Sequence, residues 1–101
     1  MLIKYQSGKP EEILEEIKEQ LGGRKLGKML HFDLENGNLG VTIKKMGTSH
    51  LYFERVQNGG ALIWELQTEK IALAHKAFKS EVLEKLTKII TQTGGTVETD
   101  S

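Results

Sequence analysis

Two short runs of the chain carry residue types that could do chemistry together. His31 and Asp33 stand two positions apart, and His50, Tyr52 and Glu54 repeat that spacing further along. Residues two apart on a strand share a face. If both runs are strands and lie close, two imidazoles, a phenol and two carboxylates meet on one surface. Such a set could exchange protons or hold a divalent metal. The spacing matches no helical or loop metal motif, so no metal and no cofactor is implied. The same residues also suit a solvated sheet face, where cross-strand polar pairs give small stabilisations.

A second set is cationic. Arg24, Lys25 and Lys28 lie in Gly22-Gly23-Arg24-Lys25-Leu26-Gly27-Lys28, with Lys44 and Lys45 further on. The spacing of Gly22, Gly27 and Lys28 fits the start of a phosphate-binding loop. That mechanism needs a strand before the loop and a helix after it, so that amide N–H groups and the helix end cradle the phosphate. Here a helical pattern precedes the loop and a strand pattern follows it. Met29 stands where a metal-binding hydroxyl is needed. What remains is a basic loop able to meet an anion or a nucleic acid.

Other chemistries are closed by composition. The 101-residue chain has no cysteine, which removes disulfides, thiolate zinc sites and thiol nucleophiles. There is no Gly-x-Ser-x-Gly elbow. Ser7, Ser49, Ser80 and Ser101 read as turn, cap or tail residues. Ser49 and His50 are neighbours on a strand pattern and so point to opposite faces. His75 reads as a boundary residue near a helix start, and no catalytic residue is assigned. Formal net charge is zero, which gives no global pull towards nucleic acid or anionic lipid. The N-terminus turns polar at once, and no apolar run nears the roughly 18 residues of a membrane span. The expectation is a cytoplasmic protein with no membrane partner.

The elements that would position these residues follow from periodicity. Leu2 to Gln6 reads as a short strand that suits a sheet edge, with its place in the sheet left open. Pro10 suits a helix first turn, and Glu11 and Glu12 suit its positive end. Ile13, Leu14, Ile17 and Leu21 then fall on one face. The outer face carries Glu11, Glu15 and Glu19, with Glu12 and Glu16 beside them. It reads as solvated, or else as a patch for a basic partner. From Met29 to Gln67 four runs alternate: Leu30-Phe32-Leu34, Leu39-Val41-Ile43, Leu51-Phe53 and Leu62-Trp64-Leu66. Asn36-Gly37-Asn38 and Asn58-Gly59 mark turns. Ala74, Phe78, Val82, Leu86 and Ile90 repeat every four residues, which predicts a helix from about Lys76. Glu69 to His75 stays open between a fifth meander strand and helix. Gly94-Gly95 ends the helix.

Assembled, these elements predict an α+β domain over residues 1–95. Its sheet is a four- to six-stranded, mainly antiparallel meander with two helices packed on one face. The element order is β-α-β-β-β-β-(β)-α, and residues 96–101 form a frayed polar tail. The other sheet face would carry His31, Asp33, Thr42, Lys44, His50, Tyr52, Glu54, Ile63 and Glu65 and stand open.

Between Gly47 and Leu86, one inter-strand segment (Gly47-Thr48-Ser49-His50) and the lysines near the last helix (Lys70, Lys76, Lys79) resemble a double-stranded RNA-binding domain. That resemblance implies shape readout through a loop and a basic helix start. The chain departs from the family in four places. No proline precedes His50, the lysines do not cluster tightly, a strand at Met29 to Glu35 is extra, and the first helix is acidic.

Three functional expectations follow. The leading one is a non-enzymatic binding or protein-interaction domain. Self-association as a homodimer is one form of it, through the open face near Tyr52 and Ile63 or through the edge at Leu2 to Gln6. The second is a nucleic-acid-binding module using Arg24, Lys25, Lys28, Lys44 and Lys45. The third is an enzyme or metal site on His31, Asp33, His50 and Glu54.

Overall fold

The computed structural model describes residues 1–21, 29–44, 47–72 and 79–98. The chain runs β1 (Leu2–Tyr5), α1 (Pro10–Leu21), β2 (Leu30–Glu35), β3 (Asn38–Lys44), β4 (Thr48–Asn58), β5 (Ala61–Lys70), α2 (Lys79–Gln92) and β6 (Gly95–Glu98). The strands form one antiparallel sheet in the order β2-β3-β4-β5-β1-β6. This is the α+β meander with two helices that the alternating runs predict.

Periodicity explains most of it. In α1, Ile13, Leu14, Ile17 and Leu21 are buried while Glu11, Glu12, Glu15, Glu16 and Glu19 are exposed. In α2, Leu86, Ile89 and Ile90 are buried. Both apolar stripes join Leu30, Phe32, Leu39, Val41, Ile43, Leu51, Phe53, Leu62 and Trp64 in one core on one side of the sheet. Burial of that many large apolar side chains, each worth about 1.5–3 kcal/mol relative to exposure, is the main force holding the layers together. Leu34 and Leu66 lie on the same side but are only half-buried.

Four expectations need correction. β1 is not an edge strand: it pairs with β5 on one side and with β6 on the other. Ile3 and Tyr5 drive it inward, being 0% and 2% exposed. The segment after α2 is not wholly a frayed tail. Gly94 turns the chain at φ 95°, and Gly95–Glu98 then pairs with β1 from Tyr5↔Gly95 to Leu2↔Glu98. Ser49 is not a turn residue. It lies in β4, is fully buried, and its Oγ accepts a 2.8 Å hydrogen bond from the Ala72 backbone N–H. That same placement puts Ser49 and His50 within a strand and not in an inter-strand loop, so the resemblance to a double-stranded RNA-binding domain loses the loop it rested on. Lastly, Ile63 does lie opposite the helices, but in register it sits between Val56 and Lys4 and is only 7% exposed. It offers no free apolar surface.

The open question at Glu69 to His75 is answered in part. Glu69 and Lys70 end β5, while Ile71 and Ala72 belong to no regular element. His75, Lys76, Ala74 and Phe78 lie outside the described residues, as do all residues from Gly22 to Lys28.

Candidate functional site

The sheet face turned away from the helices gathers the polar residues of β2, β3 and β4. Register places them in rows. One row runs His31–Thr42–His50–Lys70, and the next Asp33–Gly40–Tyr52–Thr68. The continuation into β5 depends on an irregularity between Tyr52 and Phe53. Phe53 pairs with Leu66 but Tyr52 with Thr68, so Gln67 is an extra residue on β5. Such a bulge re-aims the side chains beyond it. It brings Thr68 and Lys70 onto the open face.

Along these rows lies a hollow of about 280 Å³, lined by Asp33, Glu35, Asn38, Gly40, Val41, Thr42, His50, Leu51 and Tyr52. Its floor is Gly40. A Cβ built there would lie 2.5 Å from Asp33 Oδ1, so the Asp33 carboxylate folds over a position that has no side chain. Its walls are fixed by two side-chain pairs. Asn38 Nδ2 donates to the Tyr52 hydroxyl at 3.1 Å, while Asn38 Oδ1 accepts the Arg55 backbone N–H at 3.0 Å. Thr42 Oγ1 and His50 Nδ1 are 3.3 Å apart and hydrogen-bonded. Tyr52, 37% exposed, is the one large hydrophobic side chain standing clear of the surface among the described residues.

The strands that carry this hollow are well anchored. Asn36 and Gly37 both take positive φ, 54° and 84°, as a two-residue type I′ hairpin requires. The Gly37 carbonyl accepts a 2.9 Å hydrogen bond from the indole N–H of buried Trp64. The β2–β3 turn is thereby tied to the core, and the β2–β3 register with it.

The six candidate binding residues, His31, Asp33, Lys44, His50, Tyr52 and Glu54, all fall on this face, but they do not form one site. Asp33, His50 and Tyr52 line the hollow. His31 is one strand out, beside Thr42, and is not part of the lining. His31 and His50 have Thr42 between them, so their strands are about 10 Å apart at the usual interstrand spacing. Lys44 lies at the far end of β3, opposite Thr48. Glu54 faces Glu65 on β5, a like-charge pair further along the strand and outside the lining. Among the described residues no three of His, Asp and Glu approach closely enough to hold a metal. Arg24, Lys25, Lys28 and Lys45 lie outside the described residues.

Sequence reasoning missed Asn38, Glu35 and Gly40 as members of the hollow. The signal was present for one of them. Reading Asn36-Gly37 alone as the turn makes Asn38 the first residue of β3, on the face of Gly40 and Thr42. No helix of the described residues is long and apolar enough to cross a membrane. Compared with family models, with curated proteins and with solved structures, the chain matches none.

Proposed function

We propose that this chain is a small non-enzymatic protein-binding domain whose open sheet face receives a partner at the Tyr52 hollow. The observation that carries this reading is the hollow itself. It pairs an exposed, pre-positioned aromatic ring with a glycine floor and a wall of hydrogen-bonding side chains. Tyrosine is enriched among residues that dominate binding energy, because it offers large area at low entropic cost. Asn38 holds the Tyr52 hydroxyl before any partner arrives, which lowers that cost further. The charged residues of the lining are Asp33 and Glu35, both carboxylates. A partner segment presenting a lysine or arginine side chain fits this chemistry, with the cation near the carboxylates and its stem across the ring.

The test is a backbone NMR titration with short arginine- and lysine-bearing peptides, a neutral peptide of equal length, and a duplex RNA. The reading expects shifts at Gly40, Thr42, His50 and Tyr52 with the basic peptides alone. Tyr52→Ala, still folded, should weaken binding by about tenfold or more, as loss of a central aromatic does. Silence with every peptide, or equal affinity in the variant, would sink it. Shifts with RNA alone would transfer the case to the nucleic-acid expectation.

A further inference from the structure

Along β4 the open face changes sign. His50 has Lys70 opposite it on β5, and one row further out Lys44 stands on β3 opposite Thr48. In the other direction lie Asp33, in the row of Tyr52, then Glu35 and the Glu54–Glu65 pair. All of these charged side chains are exposed. We propose that the segment received at the Tyr52 hollow carries opposite charges on alternate residues, its cation beside Asp33 and a carboxylate over His50, between Lys44 and Lys70. This pattern rests on the hollow reading and specifies the partner that the hollow takes.

The bulge in β5 decides the sign of the His50 row. Phe53 pairs with Leu66, so an unbroken register would set Gln67 opposite Tyr52 and Glu69 opposite His50. The extra residue sets Thr68 and Lys70 there instead, and Glu69 stands opposite the core residue Leu51. Successive residues of a strand alternate faces, so one added residue exchanges an acid for a base on the open face. Bulges gather beside functional sites because they re-aim a side chain in this way. Here the re-aimed side chain is a cation, placed next to a residue of the hollow's lining.

The pleat sets the spacing. Residues i and i+2 of a strand share a face about 7 Å apart. An extended segment laid along β4 has the same repeat, so a cation in the Asp33 row brings the next inward residue to the His50 row. There the Thr42 hydroxyl holds the imidazole through Nδ1, at 3.3 Å. When that hydroxyl donates, Nε2 keeps its proton and has it to give to a carboxylate. Lys70 and Lys44, on long flexible stems, can reach the same point from β5 and from the end of β3. A polyanion does not fit this track, because Asp33, Glu35 and Glu54 repel its next charges. A second cation on the partner is opposed by the two lysines, so the pattern supplies specificity as well as attraction.

Calorimetric titration of the full chain with matched peptides tests it. The peptides differ at one position and carry Lys-x-Glu, Lys-x-Gln or Lys-x-Lys. Lys-x-Glu should bind about three- to fivefold tighter than Lys-x-Gln, the usual worth of exposed ion pairs, and Lys-x-Lys should be weakest. A peptide with Lys and Glu adjacent should lose the gain, because neighbours on an extended chain point to opposite faces. Lys70→Glu, at an exposed position, should reverse the order and make Lys-x-Lys the tightest. Suppose the parent binds lysine peptides but ranks Glu with Gln, or the adjacent pair with the alternate one, or Lys70→Glu leaves the order unchanged. Any of these overturns the charge pattern and leaves the hollow reading standing. If no lysine peptide binds, the hollow reading falls and the pattern with it. Tighter binding of a single-stranded RNA than of any peptide would remove both in favour of the nucleic-acid expectation.

Discussion

Tyr5 and Tyr52 stand on opposite faces of one sheet, and almost everything about them differs. Tyr5 is 2% exposed, packs edge-on against Trp64 with ring centroids 6.2 Å apart, and shares a 2.7 Å hydrogen bond with Thr93 Oγ1. Tyr52 is 37% exposed, and its hydroxyl accepts its bond from Asn38 on a neighbouring strand. The first phenol closes the far end of the core, where β1, β6 and the end of α2 meet. The second stands over a hollow. The same side chain serves packing where its ring is covered and recognition where its ring is free. Substitutions that separate those roles give the sharpest checks.

The largest effect falls on the buried side. Tyr5→Ala should cost about 3–5 kcal/mol, as truncation of a buried aromatic does, and it removes the edge-on contact with Trp64 as well. Tyr52→Ala should stay within about 0.5 kcal/mol, as for other surface changes. Urea unfolding of both variants reads the gap directly. Equal losses would mean that Tyr52 holds the sheet together and that the two faces are not distinct in kind.

Gly95→Ala comes next. A Cβ there would meet Tyr5 Cε2 and Cζ and Ile90 Cγ2, all at 2.8 Å. These atoms belong to a buried ring and a buried branched side chain, and neither can step aside. Overpacking of this sort costs about 1–3 kcal/mol. Thermal unfolding should place the variant clearly below the parent. No loss would mean that β6 docks less tightly on β1 than the Tyr5↔Gly95 register implies.

How much of this was legible beforehand follows the range of each signal. α1 and strands β2 to β5 are written in local periodicity, and a hairpin fixes each neighbour, so they could be read from the chain. The position of β1 could not. Four residues contain Ile3 and Tyr5, but which strands flank them is decided by Leu62, Trp64 and Val97, far along the sequence. β6 hid for the same reason: Gly95-Thr96-Val97-Glu98 looks like tail chemistry until Tyr5 supplies the surface it packs on. The bulge at Gln67 leaves no mark in composition, yet it brings Lys70 into the row of His50. For the site, alternation placed the right residues on the right face. It did not tell which of them converge, because that depends on row and register. His50 and Tyr52 converge with Asp33. Glu54, two residues on, is set against Glu65.

Tyr5→Phe tests the polar half of the buried contact. Thr93 keeps other partners, since its hydroxyl also reaches the Ile89 and Ile90 carbonyls at 3.2 and 3.0 Å. The loss should therefore be near the ordinary value of one hydrogen bond, about 1 kcal/mol. The variant also carries a pH signature. Burial pushes the Tyr5 phenol above its usual value of 10.0, Glu16 pushes the same way, and the Thr93 bond opposes them. The unfolded chain thus ionises this group first. Its contribution to stability is complete below pH 10 and is lost as pH rises through the folded value. Unfolding free energy of the parent should fall along that alkaline limb, and Tyr5→Phe should flatten the fall. An unchanged slope would mean that Tyr5 is wetter than its 2% exposure suggests.

The smallest expected change in stability is the one that says most about the open face. Gly40 meets only the end of a flexible side chain, Asp33 Oδ1, which can rotate into solvent. Gly40→Ala should therefore leave stability within about 0.5 kcal/mol, or raise it slightly, because alanine loses less entropy than glycine on entering a strand. It would also lift Asp33 from the floor and put a methyl group in the hollow. Gly95→Ala and Gly40→Ala are the same chemical change on the two faces, and only the first should register in an unfolding curve. The second should register in peptide binding, as a loss that Tyr52→Ala reproduces. If Gly40→Ala instead unfolds the protein, the glycine serves the sheet and not the hollow. If it changes neither stability nor binding, the hollow is a by-product of pleat geometry, and recognition must be sought elsewhere on the surface.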